Sequence, residues 1–329
     1  MVQSQAQNWR DHLVIIAKIN GHGLSRDAEI LQRHLAEAGW RVDIAHAEER
    51  SFLRRFLNTQ DYDVALHLET FHPNWVNVAP QQYLIPNPEW FRASRLRWLR
   101  YVDQVLTKTH QAADLFAPHA SVIKLLGFTS EDRYDPAIPK DWNGFFHLAG
   151  ASFLKGTETL LSLWEKHPEW PELLLIQRDS NAPATLPQNV RLISRYVSDI
   201  ELREFQNRAG VHLCPSKSEG WGHHLVEAMS TGALVITTDA PPMNEFITGE
   251  NGICVPYDRK EPRKLSQNYF VSEPAMEATI ERILKMPVSE KAAMGQRARA
   301  SFLDIDQQFR KRLPELLHPT PSSHSSADC

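Results

Sequence analysis

Residues 210–247 constrain the fold of this chain more than any other segment. They contain a short apolar strand that stops at Pro215, an acidic glycine-rich turn, an amphipathic helix and a second apolar strand. Two short strands separated by a single helix are typical of a parallel βαβ unit. Gly220 and Gly222 lie directly before the predicted helix, residues 223–231. The first N–H groups and the positive dipole end of such a helix suit an anion such as a diphosphate.

Two carboxylates border this helix start. Glu219 lies on the turn, and Glu227 lies one turn into the helix, on the same face as His223 at a spacing of i, i+4. An anion site that also offers acceptors to hydroxyl groups matches the chemistry of a nucleotide sugar. Either acid alone could equally be a solvated surface residue, so the combination carries the prediction. We count Glu227 and His223 among the candidate substrate-binding residues.

The segment PSKSEGWGHHLVEAMSTGALVITTDAPPMNE resembles the signature of the retaining, nucleotide-sugar-dependent glycosyltransferases of family 4, within the glycosyl transferases group 1. The resemblance implies the α/β GT-B fold, which has two facing Rossmann-like domains with parallel sheets and a cleft between them. The E-x7-E element of the signature falls on Glu219 and Glu227. By resemblance, Glu219 meets hydroxyls of the donor sugar, Glu227 holds the ribose hydroxyls, and the backbone of Gly220, Trp221 and Gly222 borders the sugar and the phosphates.

Length and composition favour two globular domains. A chain of 329 residues is too long for one ordinary core and short for three. The formal net charge of -4 argues against a nucleic-acid partner, because dedicated nucleic-acid binders usually carry a basic excess. Three cysteines without CxxC spacing indicate reduced thiols rather than a disulfide frame or a zinc site. No apolar run reaches the roughly 18 residues of a membrane span, and we expect a cytoplasmic protein.

The domain boundary is predicted in the polar segment 127–143, which contains two prolines. Residues 1–138 are expected to form a Rossmann-like acceptor-side domain and residues 139–300 a Rossmann-like donor-binding domain. The resemblance implies that a last helix, residues 301–318, crosses back to the N-terminal domain. The Ser/Pro-rich end, residues 319–329, has the composition of a disordered tail.

The N-terminal half begins with a predicted strand, a glycine turn and a helix. The apolar run 13–19 breaks at a turn that contains Gly21 and Gly23, and Ser25 is the expected N-cap of a helix over residues 26–38. The two glycines do not form the GxGxxG of a dinucleotide site. In family 4 enzymes the equivalent turn faces the donor phosphate and the acceptor. The resemblance therefore places Gly21 and Gly23 in the cleft, with a simple tight turn as the alternative.

The expected reaction centre departs from the family pattern. Many members have a histidine just after the strand that corresponds to residues 82–85, and it contacts the donor sugar and the reaction centre. The matching position here is Asn87, with Glu89 close by. His72, on a neighbouring loop, is a substitute candidate, although a lone histidine is as well explained by a structural role.

The diphosphate site keeps one of two expected cations. Relatives commonly carry an arginine directly after the glycine that ends the first strand of the second domain, and a lysine before the next glycine. This chain has Ala151 at the first position and Lys155 at the second. We predict that Lys155 binds the donor diphosphate, with a solvated lysine as the alternative. Arg178, just past the strand 173–177, is a weaker source of a second positive charge.

Two basic segments raise the question of membrane contact. Residues 51–57 combine Phe52, Leu53, Phe56 and Leu57 with arginines, and a second basic run spans residues 92–100. Such segments can lie on an anionic membrane surface. Packing on the core with a solvated basic face explains them equally well. Peripheral attachment at the inner face of a membrane therefore stays open.

The predicted function is that of a retaining, metal-independent hexosyltransferase or related glycosyltransferase of polysaccharide or glycoconjugate biosynthesis. A nucleotide sugar serves as a substrate, no cofactor is expected, and the acceptor is a glycan, lipid or small molecule with a hydroxyl group. The catalytic candidates are Glu219, Lys155 and Asn87. No DxD pair stands where a metal would bridge the diphosphate, so Lys155 and the helix start are expected to offset the leaving-group charge.

Two alternatives remain from the sequence. One is a sugar phosphorylase or sugar-phosphate synthase on the same fold, which would need a phosphate or sugar-phosphate acceptor site. The other is a nucleotide-sugar-binding protein with little or no turnover, motivated by Ala151 and Asn87. Release of a nucleoside diphosphate, of a sugar phosphate or of neither distinguishes the three functions.

Overall fold

The computed structural model describes residues 12–18, 23–57, 59–183 and 185–317, with only the backbone of Arg55. Gly21 and the tail 319–329 therefore lie outside the described residues. The N-terminal half has a parallel sheet of six strands in the order β2-β1-β3-β4-β5-β6, together with two helices. In chain order these are β1 (His12–Ala17), α1 (Gly23–Glu37), β2 (Arg41–His46), β3 (Val64–Glu69), β4 (Gln81–Pro86), β5 (Gln104–Thr107), α2 (His110–Phe116) and β6 (Ile123–Leu125).

The C-terminal half repeats this plan. Its strands follow the order β12-β11-β10-β7-β8-β9, which is the strand order of a Rossmann fold. In chain order the elements are β7 (Asp141–Gly150), α3 (Thr157–Lys166), β8 (Leu173–Gln177), β9 (Val190–Ile193), α4 (Asp199–Arg208), β10 (Ala209–Cys214), α5 (His223–Ser230), β11 (Leu234–Thr238), α6 (Met243–Phe246) and β12 (Ile253–Val255). The predicted βαβ unit is confirmed, because β10 and β11 pair in parallel with Val211 opposite Leu234.

The central strands are apolar along their whole length because both faces of each sheet are covered. Leu13 and Ile15 of β1 pack in one cluster and Val14 and Ile16 in another, and all four are fully buried. Continuous apolar runs of this kind are typical of parallel sheets, whereas one-sided sheets show alternation. The continuous apolar runs that predict strands in the sequence therefore form the central strands of the two sheets.

Four elements follow the second sheet: an antiparallel hairpin and two helices, namely β13 (Tyr257–Arg263), β14 (Ser266–Val271), α7 (Glu273–Lys285) and α8 (Val288–Leu317). The end of α8 packs against the N-terminal half, where Phe309 and Leu313 share a buried cluster with Leu13 and Leu31. Phe309 lies 5.0 Å from the ring centroid of Phe128. The last helix thus ties the two halves together.

Several predicted boundaries were wrong. The first helix starts at Gly23, so Ser25 lies inside its first turn and does not cap it. The sequence of residues 51–57 predicts an amphipathic helix, but the segment forms only a short 3-10 helix, Phe52–Phe56. The apolar pattern of residues 101–107 predicts a strand, but a second 3-10 helix, Ala93–Tyr101, extends into it and β5 begins at Gln104.

The hairpin was missed altogether. A helix over residues 271–286 is the expectation from apolar spacing, yet Val271 pairs with Tyr257 in the hairpin and α7 begins two residues later. The strand β13 is charged and mostly exposed, so it lacks the apolar alternation that signals a half-buried strand. No described helix is both long enough and apolar enough to cross a membrane.

Candidate functional site

A cavity of about 910 Å³ lies between the two halves, at the carboxyl ends of both parallel sheets. In the second sheet the strand order reverses between β7 and β10, and this topological switch point is where open α/β sheets bind ligands. Residues 150–155, which follow β7, and residues 218–222, which precede α5, line the cavity from the C-terminal half. The start of α1 and the ends of β3, β4 and β5 line it from the N-terminal half.

The start of α5 faces this cavity because of Gly222. That residue caps the helix with φ +88°, a left-handed conformation that favours glycine. Its carbonyl accepts hydrogen bonds from the N–H groups of Leu225 and Val226. The N–H groups that precede them in the first turn belong to His223 and His224, which both line the cavity. The helix start, where the sequence predicts an anion site, therefore opens on the cavity.

Lys155 and Glu219 form an ion pair beside this helix start. The Nζ atom of Lys155 donates to Oε1 of Glu219 at 2.6 Å and to Nδ1 of His224 at 3.2 Å. Burial, together with Lys155, holds the pKa of His224 well below its usual value, so the imidazole is neutral. Because its Nδ1 accepts from Lys155, its proton lies on Nε2, which faces Oγ of Ser216 at 3.1 Å. Both charged groups of the pair are thus fixed in position.

Glu227 is fully buried and binds across the cleft. Its Oε1 accepts a hydrogen bond from Nη1 of Arg26 at 2.6 Å, and its Oε2 accepts one from Nε2 of Gln206 at 3.0 Å. A carboxylate has about four acceptor positions, so these two bonds leave capacity for a further donor. The residue that the resemblance assigns to ribose also links the two halves of the molecule.

Gly220 lies against the opposite wall of the cleft. A Cβ atom at this position would lie 2.8 Å from Oδ1 of Asn87 and 2.8 Å from Oε1 of Glu89. Any other residue at this position would force the ends of these two side chains to move. The opposite wall of the cleft therefore favours glycine at position 220, in addition to the ligand approach that the sequence suggests.

A buried charge network lies behind Asn87. Lys108 donates to Oδ1 of Asn87 at 3.1 Å and also binds Asp27, whose other oxygen lies 2.8 Å from Nε2 of His223. Burial would by itself raise the pKa of Asp27, but Lys108 and His223 outweigh it, and the pKa lies below its usual value. Asp27 is therefore ionised at neutral pH and anchors His223 of α5 to the N-terminal half.

The remaining predicted residues lie in different surroundings. Gly23 and Arg178 line the cavity, at the start of α1 and just after β8. Trp221 also borders it but is 4% exposed, and its Nε1 donates to Oγ of Ser130 at 3.1 Å. His72 is buried against His67 and is not among the described residues that line the cavity. Burial lowers the pKa of His72 to about 4, so it is neutral.

The hairpin closes one edge of the cavity. The guanidinium carbon of Arg263 lies 4.5 Å from the ring centroid of Trp90 and 5.3 Å from that of Phe153, and both rings border the cavity from opposite halves. Leu265 packs against the apolar cluster around Phe91 in the N-terminal half. The hairpin tip thus spans the cleft.

Sequence reasoning missed four polar residues of this site, namely Arg26, Asp27, Lys108 and His224. A usable signal was present for three of them. Arg26 and Asp27 follow the first glycine turn, and Lys108 follows a predicted strand. Polar residues at the carboxyl ends of parallel strands lie at the binding edge of the sheet. Among the described residues, no group of three or more His, Cys, Asp or Glu is arranged to hold a metal ion.

Comparison with known sequences confirms the resemblance found in the signature segment. Residues 182–300 match the family model of the glycosyl transferases group 1. A mannosyltransferase of Komagataeibacter xylinus, named GDP-mannose:cellobiosyl-diphosphopolyprenol alpha-mannosyltransferase, is 26% identical over 190 residues. That match covers 53% of this chain and 48% of the relative, so this chain aligns with about half of the relative's length.

Solved structures share the fold of the whole described chain. A glycosyltransferase of Rickettsia africae has a TM-score of 0.70 at 13% identity and covers 95% of this chain and 100% of its own. A sucrose-phosphate synthase of Thermosynechococcus elongatus has a TM-score of 0.69 at 17% identity, covering 93% and 98%. The Anabaena protein HepE, in complex with UDP and glucose, has a TM-score of 0.69 at 13% identity, covering 92% and 99%. The fold is GT-B.

Proposed function

We propose that this protein transfers a sugar from a nucleotide-sugar donor to a hydroxyl acceptor with retention of anomeric configuration. The ion pair of Lys155 and Glu219 at the start of α5 carries the proposal, because it lies in the cavity between the two domains. The ammonium group and the helix N–H groups suit a diphosphate, and the carboxylate accepts hydrogen bonds from sugar hydroxyls. Glu227 supplies the ribose contact.

The chemistry follows from charge development. When the bond between the sugar C1 and the diphosphate oxygen breaks, negative charge grows on the leaving group, where Lys155 and the start of α5 offset it without rearranging. The acceptor oxygen forms its bond to C1 on the same face, and its proton passes to the departing phosphate oxygen. This route needs neither a covalent nucleophile nor a metal to carry the leaving-group charge. Asn87, held by Lys108, faces the reaction centre from the opposite wall.

Full-length protein incubated with a panel of UDP-, GDP- and ADP-sugars tests the proposal. GDP-mannose is included because the Komagataeibacter relative is named for it, and UDP-glucose because HepE holds UDP and glucose. We expect release of a nucleoside diphosphate and a product whose anomeric configuration, read from the one-bond coupling between C1 and H1, matches that of the donor. Release of a sugar phosphate from a glycan and inorganic phosphate would support the phosphorylase alternative, and transfer only to a sugar-phosphate acceptor would support the synthase alternative. Binding without any turnover, with every acceptor tried, would support the binding-protein alternative.

We also propose that the protein works in the cytoplasm and docks on the inner face of an anionic membrane through the 3-10 helix Phe52–Phe56. Its apolar side chains are unusually exposed, at 56% for Phe52, 75% for Leu53, 65% for Phe56 and 57% for Leu57. Exposed aromatic and aliphatic groups beside arginine match the chemistry of an anionic bilayer surface. A lipid-linked acceptor, such as the one in the Komagataeibacter relative's name, would be reached there.

Sedimentation with vesicles tests the docking surface separately from catalysis. At low salt, the wild type should bind phosphatidylglycerol-containing vesicles, and a Leu53→Asp/Phe56→Asp variant should bind several-fold less. Transfer to a water-soluble acceptor should be unchanged in that variant, since the segment is not among the described residues that line the cavity. Absence of wild-type binding to anionic vesicles would remove the docking proposal and leave the transferase proposal untouched.

A further inference from the structure

Glu89 reaches the cavity from a rigid turn. The turn follows β4 and is closed by hydrogen bonds from the N–H groups of Trp90 and Phe91 to the carbonyl of Asn87, at 3.1 and 3.0 Å. Phe91 is fully buried and packs edge to face on Phe116, so the turn cannot shift without breaking the core of the N-terminal half. The side chain of Glu89 is 5% exposed and lines the cavity. Its position is set by the fold.

The Glu89 carboxyl touches the donor wall and has an unused oxygen. Its Oε1 lies against Gly220, directly beside Glu219 in the chain. Its own backbone N–H donates to the carboxyl, but the buried Oε2 has no hydrogen-bond partner among the described residues. A buried polar atom without a partner is costly and uncommon in folded proteins. Because the Glu89 side chain lines the cavity, a turn of its carboxyl group would bring this oxygen to a ligand hydroxyl there and give it a partner.

The charged groups around Glu89 come from three directions. Glu219 faces it from the opposite wall, Glu69 from the end of β3 and Lys108 from the end of β5. The ammonium group of Lys108 is already paired with the Asp27 carboxylate. Burial above all, with a further contribution from Glu219, raises the pKa of Glu89 to about 7. Below neutral pH this residue is therefore a carboxylic acid, which can donate a hydrogen bond as well as accept one.

We propose that Glu89 is a second carboxyl of the donor-sugar site and donates a hydrogen bond to a hydroxyl of the transferred sugar. The inference rests on the proposed function. Glu219, bound to Lys155, acts as an acceptor, whereas Glu89 acts as a donor from the opposite wall. A sugar hydroxyl both donates and accepts, so the two unlike carboxyls together recognise it. A deoxy sugar would leave both of them without this partner, and such sites discriminate strongly.

Calorimetric binding of GDP-mannose against GDP, and of UDP-glucose against UDP, tests the assignment. Glu89→Ala should lower the affinity for the nucleotide sugar about tenfold, which is the size of one buried hydrogen bond, and leave the affinity for the free nucleoside diphosphate within about twofold. Glu89→Gln keeps a neutral donor group and should lose less than about threefold. Glu172→Gln, an exposed acid paired with Arg191, is the matched control and should change neither affinity.

The pH dependence of nucleotide-sugar binding is a further test, because a purely structural role of Glu89 would not change it. The wild-type advantage of nucleotide sugar over nucleoside diphosphate should fall as pH rises from about 6 to about 8.5, because Glu89 loses its proton through its raised pKa. The terminal phosphate of the free nucleoside diphosphate also ionises in this range, so Glu89→Gln should show only the smaller fall that the phosphate causes, and the wild type a larger one.

The outcomes separate the two proposals. Equal losses of affinity for sugar donor and free diphosphate in Glu89→Ala, or no loss at all, would overturn the role of Glu89 alone. A wild type that binds neither nucleotide sugar would overturn the proposed function, and the role of Glu89 with it. Retained diphosphate binding in each variant shows that the fold has survived.

Discussion

The two walls of the cleft are built in different ways. The donor wall comes mainly from two short segments of the C-terminal half, residues 150–155 and 218–227, that meet at the switch point between β7 and β10. The opposite wall comes from α1 and from the ends of three strands, so its side chains are spread from Arg26 to Lys108. Two short contiguous motifs form most of the first wall, and chain topology assembles the second from single side chains.

The two walls also differ in how exposed their ion pairs are. On the donor wall, Lys155 and Glu219 are 15% and 11% exposed as side chains, so the pair is open to exchange partners with a ligand. On the opposite wall, Lys108 and Asp27 are 3% and 5% exposed and bind each other. The first pair is placed for binding, and the second holds the cleft together through His223 and Asn87. Substitutions on the two walls should therefore affect different quantities.

The largest effect is expected on the donor wall. Glu219→Ala removes the hydroxyl acceptor and leaves Lys155 without its carboxylate. We expect loss of transfer by roughly 1,000-fold, on the order of 4 kcal/mol of transition-state stabilisation, with the fold retained. Steady-state kinetics with the donor identified from the panel measures it, and circular dichroism checks the fold. A fully active variant would contradict the assignment of this wall to the donor.

The sequence predicted more of the donor wall than of the opposite wall, and the reason is the same difference in construction. Glu219, Gly222 and Glu227 lie on one turn and the start of the helix that follows it, so local structure alone brings them close together. Asn87 and Glu89 could be placed near the cleft, but that both of them touch Gly220 depends on a turn that the burial of Phe91 fixes. Long-range packing decides such details, and local patterns do not contain it.

The fold was predicted on the same terms. Continuous apolar runs such as residues 173–177 and 211–214 gave the sheet centres, because burial on both faces leaves a strong local signal. The hairpin tip, in contrast, is held by Arg263 between two aromatic rings from opposite halves and by Leu265 on the N-terminal core. These contacts exist only after both halves have folded. A charged, exposed strand therefore had no sequence pattern to reveal it.

The second prediction concerns the opposite wall. Asp27→Asn removes the partner of a buried Lys108, and we expect about 3 kcal/mol lower stability in urea unfolding, since breaking a buried pair leaves an uncompensated charge. Replacing both residues, as Asp27→Asn with Lys108→Met, should recover part of that loss. The affinity for free GDP or UDP should change far less than in a Lys155→Ala variant. If Asp27→Asn lowered the free energy of diphosphate binding as much as it lowers the free energy of unfolding, the two walls would not have separate roles.

The pH dependence of this effect has a definite sign. The pKa of Asp27 is lowered in the folded protein, so its contribution to stability is present above its ordinary value of 3.8 and is lost as the pH falls through the lower folded value. The difference in stability between wild type and Asp27→Asn should therefore shrink only in strong acid. A difference that instead vanished near neutral pH would mean that another group, such as His223, controls the contact.

The smallest expected effect tests whether the walls are joined outside the cavity. Glu245 of α6 accepts hydrogen bonds from the backbone N–H groups of His110 and Gln111 at the start of α2, at 2.7 and 2.8 Å, so one half caps a helix of the other. Glu245→Ala should lower the stability by about 1 kcal/mol, the usual cost of a lost cap at a helix start. Glu250→Ala, an exposed acid nearby, is the matched control and should stay within about 0.5 kcal/mol of the wild type. Because neither substitution touches Lys155 or Glu219, donor affinity should be unchanged in both. Urea unfolding followed by tryptophan fluorescence measures the stability of both variants, and calorimetry measures their donor affinity. A drop in donor affinity with Glu245→Ala would show that this contact sets the width of the cleft as well as the stability of the protein.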